Sequence, residues 1–329
     1  MATRVQPAAG PVMRYTKLVV FLIALAARSE GQLVPENAAP DQPSFRIAVD
    51  VNLVVLHPVV LDRSGGFVSD LAEQDFSVYE NGVPQSIRLF RHEDTPVTAG
   101  LVIDHSGSMR PKLNEVIVAA TAFAEASNSA DEMFIVNFNE NASLGLPATS
   151  PFTNRSSELD EALSHMPAAG MTALYDAALA GLEQLRAGSR DKKVLLIVSD
   201  GGDNASAHSL TDVLEMAQQS KAIIYTIGVF DEGDPDRNLK VLKRLARESG
   251  GASFFPESLD QIVGVCESIA RDIRNQYTIG YFSNNLADGN YRSIRVDARS
   301  PGRGKLLVRS RAGYIPGSAP IPADKQDTP

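Results

Sequence analysis

The sequence Asp104-His105-Ser106-Gly107-Ser108 follows an apolar run from Ala99 to Ile103. The run reads as a buried strand, and a helical pattern opens at about Lys112. One carboxylate and two hydroxyls are thereby delivered into a loop that faces a helix N-terminus. Oxygen donors of this kind suit a hard divalent cation. Mg²⁺ takes oxygen ligands, requires near-octahedral geometry and gives up its waters reluctantly. Asp and Ser are also common helix caps, so a capping loop is the alternative reading of the same residues.

Two further stretches bear on the choice: Gly170-Met171-Thr172-Ala173-Leu174 and Val198-Ser199-Asp200-Gly201-Gly202-Asp203. Asp104-x-Ser106-x-Ser108, Thr172 and Asp200, in this order, resemble the metal-ion-dependent adhesion site of von Willebrand factor type A domains. The resemblance spans roughly Val97 to Asn275. It implies that Ser106 and Ser108 coordinate directly, that Thr172 does so in a high-affinity state, and that Asp104 and Asp200 act directly or through water. Mg²⁺ is the expected cation, with Mn²⁺ or Ca²⁺ as alternatives. Three of these five donors (Ser106, Ser108, Thr172) are neutral, so the ion would stay under-neutralised with a position open to water. An outside carboxylate can take that position, and the implied partner is a protein presenting Asp or Glu.

Other chemistries find less support. His57, His92, His165 and His208 are scattered without H-E-x-x-H spacing, which argues against a zinc enzyme. Ser106 is not in G-x-S-x-G, and no phosphate-binding G-x-x-x-x-G-K-[ST] occurs, so neither a hydrolase triad nor nucleotide is expected. His105 is expected at the solvated rim of the site with its ring turned from the ion; a catalytic base is the competing role. Asp231, Asp234 and Asp236 cluster in a loop where a second cation is one reading; the departure from the EF-hand pattern favours a solvated acidic loop. Asp203 and Asn204 are expected to shape the rim.

Around these residues the pattern alternates strand and helix, which predicts an α/β, Rossmann-like, doubly wound and mostly parallel sheet over 97–275. Strands are expected at Ala99–Ile103, Met133–Phe138, Val194–Ser199 and Ile223–Val229, with weaker edges at Ala142–Pro147 and Ala252–Phe254. Helices are expected at about 112–127, 157–164, 173–186, 210–219, 238–248 and 258–274. Ligands in such sheets gather at the carboxyl ends of the strands, where Asp104 and Asp200 both fall. The lone cysteine, Cys266, lies in an apolar stripe with Leu259, Ile262, Ile269 and Ile273, and reads as a small buried hydrophobe.

The flanks are β-rich. An N-terminal β segment, 45–96, contains an interruption at His57-Pro58 and a hairpin, Asp75–Glu80 with Val83–Arg91, joined by Asn81-Gly82. A C-terminal β segment, 276–315, offers Tyr277–Phe282, Tyr291–Ala298 and Lys305–Tyr314. The two segments are expected to pack as one flanking β-sandwich with the α/β unit inserted between them. This arrangement also resembles a group of exported bacterial proteins, common in Acidobacteria. The tail, 316–329, reads as disordered.

Residues 1–27 read as a signal peptide: Arg4, Arg14 and Lys17 precede the apolar core Leu18–Ala27, which is too short to span a bilayer. An uncleaved N-terminal anchor is the alternative. A linker, 28–44, follows. The mature protein is thus expected in the periplasm, at the cell surface or secreted, meeting the membrane only during export. A net charge of −9 argues against a nucleic-acid binder, which needs a basic surface. A hydrophobic fraction of 43% and a charged fraction of 22% fit a folded globular chain. Two classes of function remain. One is a metal-dependent protein-binding module without catalysis, of which a structural envelope subunit is a variant; the other is a metal-assisted hydrolase. No His or Glu in the motifs is placed as a general base, which favours the binding module.

Overall fold

Residues 53–230, 237–283 and 289–316 are described in a computed structural model. The expected signal peptide and linker, residues 45–52, the cluster Asp231, Asp234 and Asp236, and the tail after Pro316 lie outside the described residues.

Leu53–Leu56 (β1) and Val59–Leu61 (β2) are separated at His57-Pro58, where proline offers no N–H to a ladder. Phe76–Glu80 (β3) and Val83–Gln85 (β4) form the predicted hairpin, followed by Ile87–Arg91 (β5). Asn81 (φ 49°) and Gly82 (φ 79°) both take left-handed backbone at its turn, the conformation a two-residue hairpin demands and Asn-Gly tolerates.

The α/β unit follows in the predicted alternation: Val97–Asp104 (β6), Leu113–Glu125 (α1), Glu132–Phe138 (β7), Ala142–Leu144 (β8), Ser156–Ser164 (α2), Leu174–Ala187 (α3), Lys192–Ser199 (β9), Leu210–Ser220 (α4), Ile223–Gly228 (β10), Leu239–Ser249 (α5), Ser253–Phe254 (β11) and Ile262–Arg274 (α6). The helix expected to start at 258 opens instead with a separate 3₁₀ turn, Leu259–Gln261. The six strands lie in the order β11-β10-β9-β6-β7-β8, parallel except for the antiparallel edge β8. Every residue of β6 is buried, as a central parallel strand covered on both faces requires. Its side chains alternate between layers. Ala99, Leu101 and Ile103 join Val116 of α1, Leu159 of α2 and Ile269 of α6; Val102 joins Leu182 of α3, Val213 of α4 and Leu245 of α5. Each such fully buried Leu, Ile or Val contributes about 1.5–3 kcal/mol. Cys266 is wholly buried in the first layer, as expected.

Beyond α6 come Thr278–Phe282 (β12), Arg292–Ala298 (β13), Leu307–Arg309 (β14) and Gly313–Tyr314 (β15). The N- and C-terminal strands pair with each other in three antiparallel sheets: β1-β12-β5, β15-β13-β3-β4 and β14-β2. These enclose one apolar core that includes Leu56, Phe76, Val78, Tyr277, Ile279 and Val296. Tyr277 anchors it: its hydroxyl donates to Val68 O at 2.8 Å and accepts from Leu71 N at 3.0 Å, and its ring lies 4.9 Å from that of Phe76.

Two predicted strands are each divided. Val83–Arg91 breaks at Ser86, after which β4 stays beside β3 while β5 crosses to β12, with Arg91 opposite Thr278. Lys305–Tyr314 breaks because the arginines of its middle turn toward the α/β unit. Arg309 Nη2 meets the Asp272 carboxylate on α6 and its Nε donates to Gly250 O at 3.3 Å; Arg311 Nη2 donates to Gln218 O on α4 at 3.0 Å. The α/β unit therefore enters after β5 and leaves into β12, neighbouring strands of one sheet. Arg274 closes the base of the insertion, pairing with Asp94 at 2.7 Å and with buried Asp131 at 2.6 Å.

Candidate metal centre

β6 and β9 are adjacent and in register, Ile103 opposite Val198, so Asp104 and Ser199-Asp200 emerge side by side at the carboxyl end of the sheet. Asp104 is wholly buried. Its Oδ1 accepts from the Ser106 N–H at 2.8 Å, a tight turn that folds the chain back over the strand end, and its Oδ2 accepts from Ser199 Oγ at 2.6 Å. From that turn Ser106 Oγ lies 3.1 Å from Ser108 Oγ, and Ser108 Oγ donates to Asp200 Oδ2 at 2.6 Å. The other oxygen of Asp200 accepts from the Gly202 N–H at 3.1 Å. Two hydroxyls and a carboxylate thus form one contiguous string of oxygens, and Asp104 sits directly beneath it.

Thr172 is brought to this loop by backbone. Gly107 N–H donates to Gly170 O at 3.1 Å, and Ala169 N–H to His105 O at 2.8 Å. Asn204 locks Thr172 from the other side: its Oδ1 accepts from the Thr172 N–H at 2.9 Å, and its own N–H donates to Thr172 O at 2.9 Å. Among the described residues the Thr172 hydroxyl makes no hydrogen bond to the other four candidates. Gly170 has φ +87°, and a Cβ there would lie 1.7 Å from Glu140 Oε2, which accepts from the Met171 N–H at 3.1 Å. Only glycine permits that close approach in that conformation.

Asp203 and Asn204 do shape the surroundings, as expected, but by holding backbone. Asp203 Oδ2 accepts from the Tyr175 N–H at 2.9 Å, at the start of α3. Ser199 and Glu140 neighbour the candidate residues and were not singled out from the sequence. Ser199 lies inside the Val-Ser-Asp stretch, and its place one residue before Asp200 was the available signal. Glu140 carried none, because its contact depends on how two loops meet.

His105 corrects an expectation. Its side chain is not at a solvated rim but wholly buried, with Nδ1 2.8 Å from Met166 O and Nε2 3.1 Å from Asn137 Oδ1. Burial holds the imidazole below its usual pKa. The ring points away from the oxygens of its neighbours, as expected, and packs between β7 and the end of α2.

The electrostatics fit a cation. Burial above all, with the nearby charge of Asp200 adding, pushes the Asp104 carboxyl up to about 6; hydrogen bonds from Ser106 and Ser199 oppose the rise. Among the described residues neither Asp104 nor Asp200 pairs with a Lys, Arg or His, so their negative charge has no protein counter-ion. Spacing agrees. Adjacent ligands of an octahedral Mg²⁺ at 2.0–2.1 Å stand about 2.8–3.0 Å apart, and the 3.1 and 2.6 Å separations along Ser106, Ser108 and Asp200 bracket that edge. Among the described residues no cluster of three His, Cys, Asp or Glu side chains is arranged to hold a metal, so any ion here relies on the hydroxyls.

A sequence profile of the von Willebrand factor type A domain matches residues 100–267. No curated protein matches the chain closely enough to be counted. Among solved structures, the chain is similar to a von Willebrand factor type A protein from Catenulispora acidiphila (14% identity, 73% of each chain, TM-score 0.49). It is also similar to the vWF domain of the type V pili tip protein Mfa5 from Porphyromonas gingivalis (14% identity, 55% of this chain and 95% of that one, TM-score 0.47). A third is BatB from Bacteroides thetaiotaomicron (13% identity, 54% and 98%, TM-score 0.43).

Proposed function

The chain belongs to the von Willebrand factor type A domain family, and from that premise we propose that it is an exported, metal-dependent protein-binding module. Domains of this family serve protein–protein interaction. The finer reading is that a divalent cation, Mg²⁺ first, is held by Asp104, Ser106, Ser108, Thr172 and Asp200 and captures an Asp or Glu of a partner protein. The observation that carries it is the string Ser106 Oγ, Ser108 Oγ and Asp200 Oδ2 above a buried Asp104 that has no cationic partner among the described residues. When bound, the cation would supply a Lewis-acidic position for the incoming carboxylate.

The protein's own residues divide the work. Ser106 and Ser108 offer neutral oxygens that leave positive charge uncancelled. Asp104, restrained by the Ser106 N–H and Ser199, holds negative charge below them. Asn204 and Glu140 fix the loop that carries Thr172. No catalytic step is assigned, since the one histidine within the motif has both ring nitrogens engaged by Met166 and Asn137. Export rests on the N-terminal pattern of Arg4, Arg14 and Lys17 before Leu18–Ala27. Among the described residues no helix is long and apolar enough to cross a membrane.

The test is calorimetric titration of Mg²⁺ and Mn²⁺ with and without a carboxylate peptide, alongside pull-downs from envelope extract with and without EDTA. Asp104→Ala should abolish metal-dependent capture, and Thr172→Ala should weaken partner binding more than metal binding. Capture indifferent to both EDTA and Asp104→Ala would overturn the reading.

A further inference from the structure

Two backbone bonds, Gly107 N–H to Gly170 O and Ala169 N–H to His105 O, zip the loop of Ser106 and Ser108 to the loop of Thr172. Arg110 adds a third tie, its Nε donating to Ala168 O at 3.2 Å. That bond uses one of the guanidinium's five N–H groups. The four on Nη1 and Nη2 have no acceptor among the described residues. Arg110 is exposed, follows Ser108 by two residues, and has no carboxylate within 4 Å among the described residues. Pinned at Nε, its fork is held beside Ala168-Ala169-Gly170, a stretch with no side chain larger than a methyl.

The same loop ends in an apolar side chain. Met171, between Gly170 and the candidate ligand Thr172, is 55% exposed, and its N–H is held by Glu140 Oε2 at 3.1 Å. Among the described residues Met109 and Met133 are buried and Met166 and Met216 half-buried, so Met171 is the one methionine left outside. One unmatched cation and one exposed thioether therefore border the metal centre on its Thr172 side. The chain as a whole is at −9, which opposes an acidic partner at long range and makes a local cation the place where such a partner gains.

Resting on the metal-capture reading, we propose that the captured segment is a peptide with two carboxylates and an apolar side chain: the first carboxylate completes the ion's shell, the second seats on the Nη fork of Arg110, and the apolar side chain packs on Met171. A planar guanidinium matches a carboxylate in bidentate geometry. Holding Nε in advance removes part of the side-chain entropy that an exposed ion pair otherwise costs. A small dicarboxylate reaches the ion and Arg110 but brings nothing for Met171, whose flexible thioether adapts to varied apolar partners. A peptide satisfies all three.

The experiment is fluorescence anisotropy of the full chain with labelled Gly-Ser peptides. One carries a single central Glu; others add a second Glu one to four positions away on either side; the tightest of these is then scanned with Leu. The single-Glu peptide should bind in Mg²⁺ and not in EDTA. At one spacing or more the second Glu should tighten binding by about fivefold, and that gain should shrink as salt rises. Arg110→Gln keeps a donor at the Nε position for Ala168 O and deletes the fork, so it should erase the gain and spare the single-Glu peptide. Met171→Ser should erase the gain from Leu, and succinate should compete less well than the Leu-bearing peptide. A second Glu that adds nothing at any spacing, a gain kept in Arg110→Gln, a Leu gain kept in Met171→Ser, or succinate competing as well as the peptide would each overturn this proposal and leave metal capture standing. A single-Glu peptide that binds equally in EDTA, or not at all in Mg²⁺, would overturn both.

Discussion

Asp104→Asn should make the metal-free protein more stable and the metal-loaded protein less responsive. Burial and Asp200 raise the Asp104 carboxyl from its ordinary 3.8 to about 6, which corresponds to ~3 kcal/mol disfavouring the charged form. The sign follows from linkage. The folded protein binds this proton more tightly than the unfolded chain, so the group's contribution to stability is complete below pH 3.8 and falls as pH rises to about 6. Above that it is constant and unfavourable. Asparagine avoids the charge yet keeps both contacts: its oxygen can accept from the Ser106 N–H, and its amide can donate to Ser199 Oγ. In EDTA the variant should therefore exceed the wild type by ~3 kcal/mol at pH 8 and by about half that at pH 5. Mg²⁺ at roughly a hundred times its Kd should add about 2.7 kcal/mol to the wild type and little to the variant, removing most of the gap. Urea unfolding at the two pH values, with and without Mg²⁺, reads all four corners. A variant less stable than wild type in EDTA, or equally stabilised by Mg²⁺, would refute the reasoning.

Arg309→Leu should cost about 3–5 kcal/mol, because it strands the Asp272 carboxylate in the interior. Asp272→Leu added to it should recover much of that loss, and a double-mutant cycle by chemical denaturation measures both. Gly100→Ala should destabilise by about 1–3 kcal/mol, since a Cβ there would meet Phe134 Cζ at 2.3 Å and Leu195 Cδ1 at 2.8 Å; the melting temperature reports it. Cys266, wholly buried and with its thiol pushed up to about 12, should resist a thiol reagent in the native protein and react only as fast as the chain unfolds.

The α/β unit was legible because its signals are local. Apolar runs such as Ala99–Ile103 and Val194–Ser199 can only be central strands, and the hydroxyl-rich loop after Ile103 announces itself within five residues. Four of the candidate ligands converge for the same reason: adjacent parallel strands in register put their carboxyl ends together. What escaped depends on distant partners. His105 reads as a polar loop residue, and only the packing of α2 against β7 shows that Met166 and Asn137 await its ring. Val83–Arg91 looks like one strand because nothing nearby says that β5 will find β12. Arg309 reads as an ordinary strand cation until Asp272 arrives from α6.

The pairing of β1 with β12, and of β2 with β14, has a mechanical consequence. Tension applied across Leu53 and Pro316 is carried first by the antiparallel ladders that join the N- and C-terminal β segments. The inserted unit hangs from β5 and β12, whose own ladder runs side by side to Arg91 and Thr278, so it lies off the load path while those ladders hold. A pull across these two β segments can thus strain the mount without bending the loops around Asp104 and Asp200.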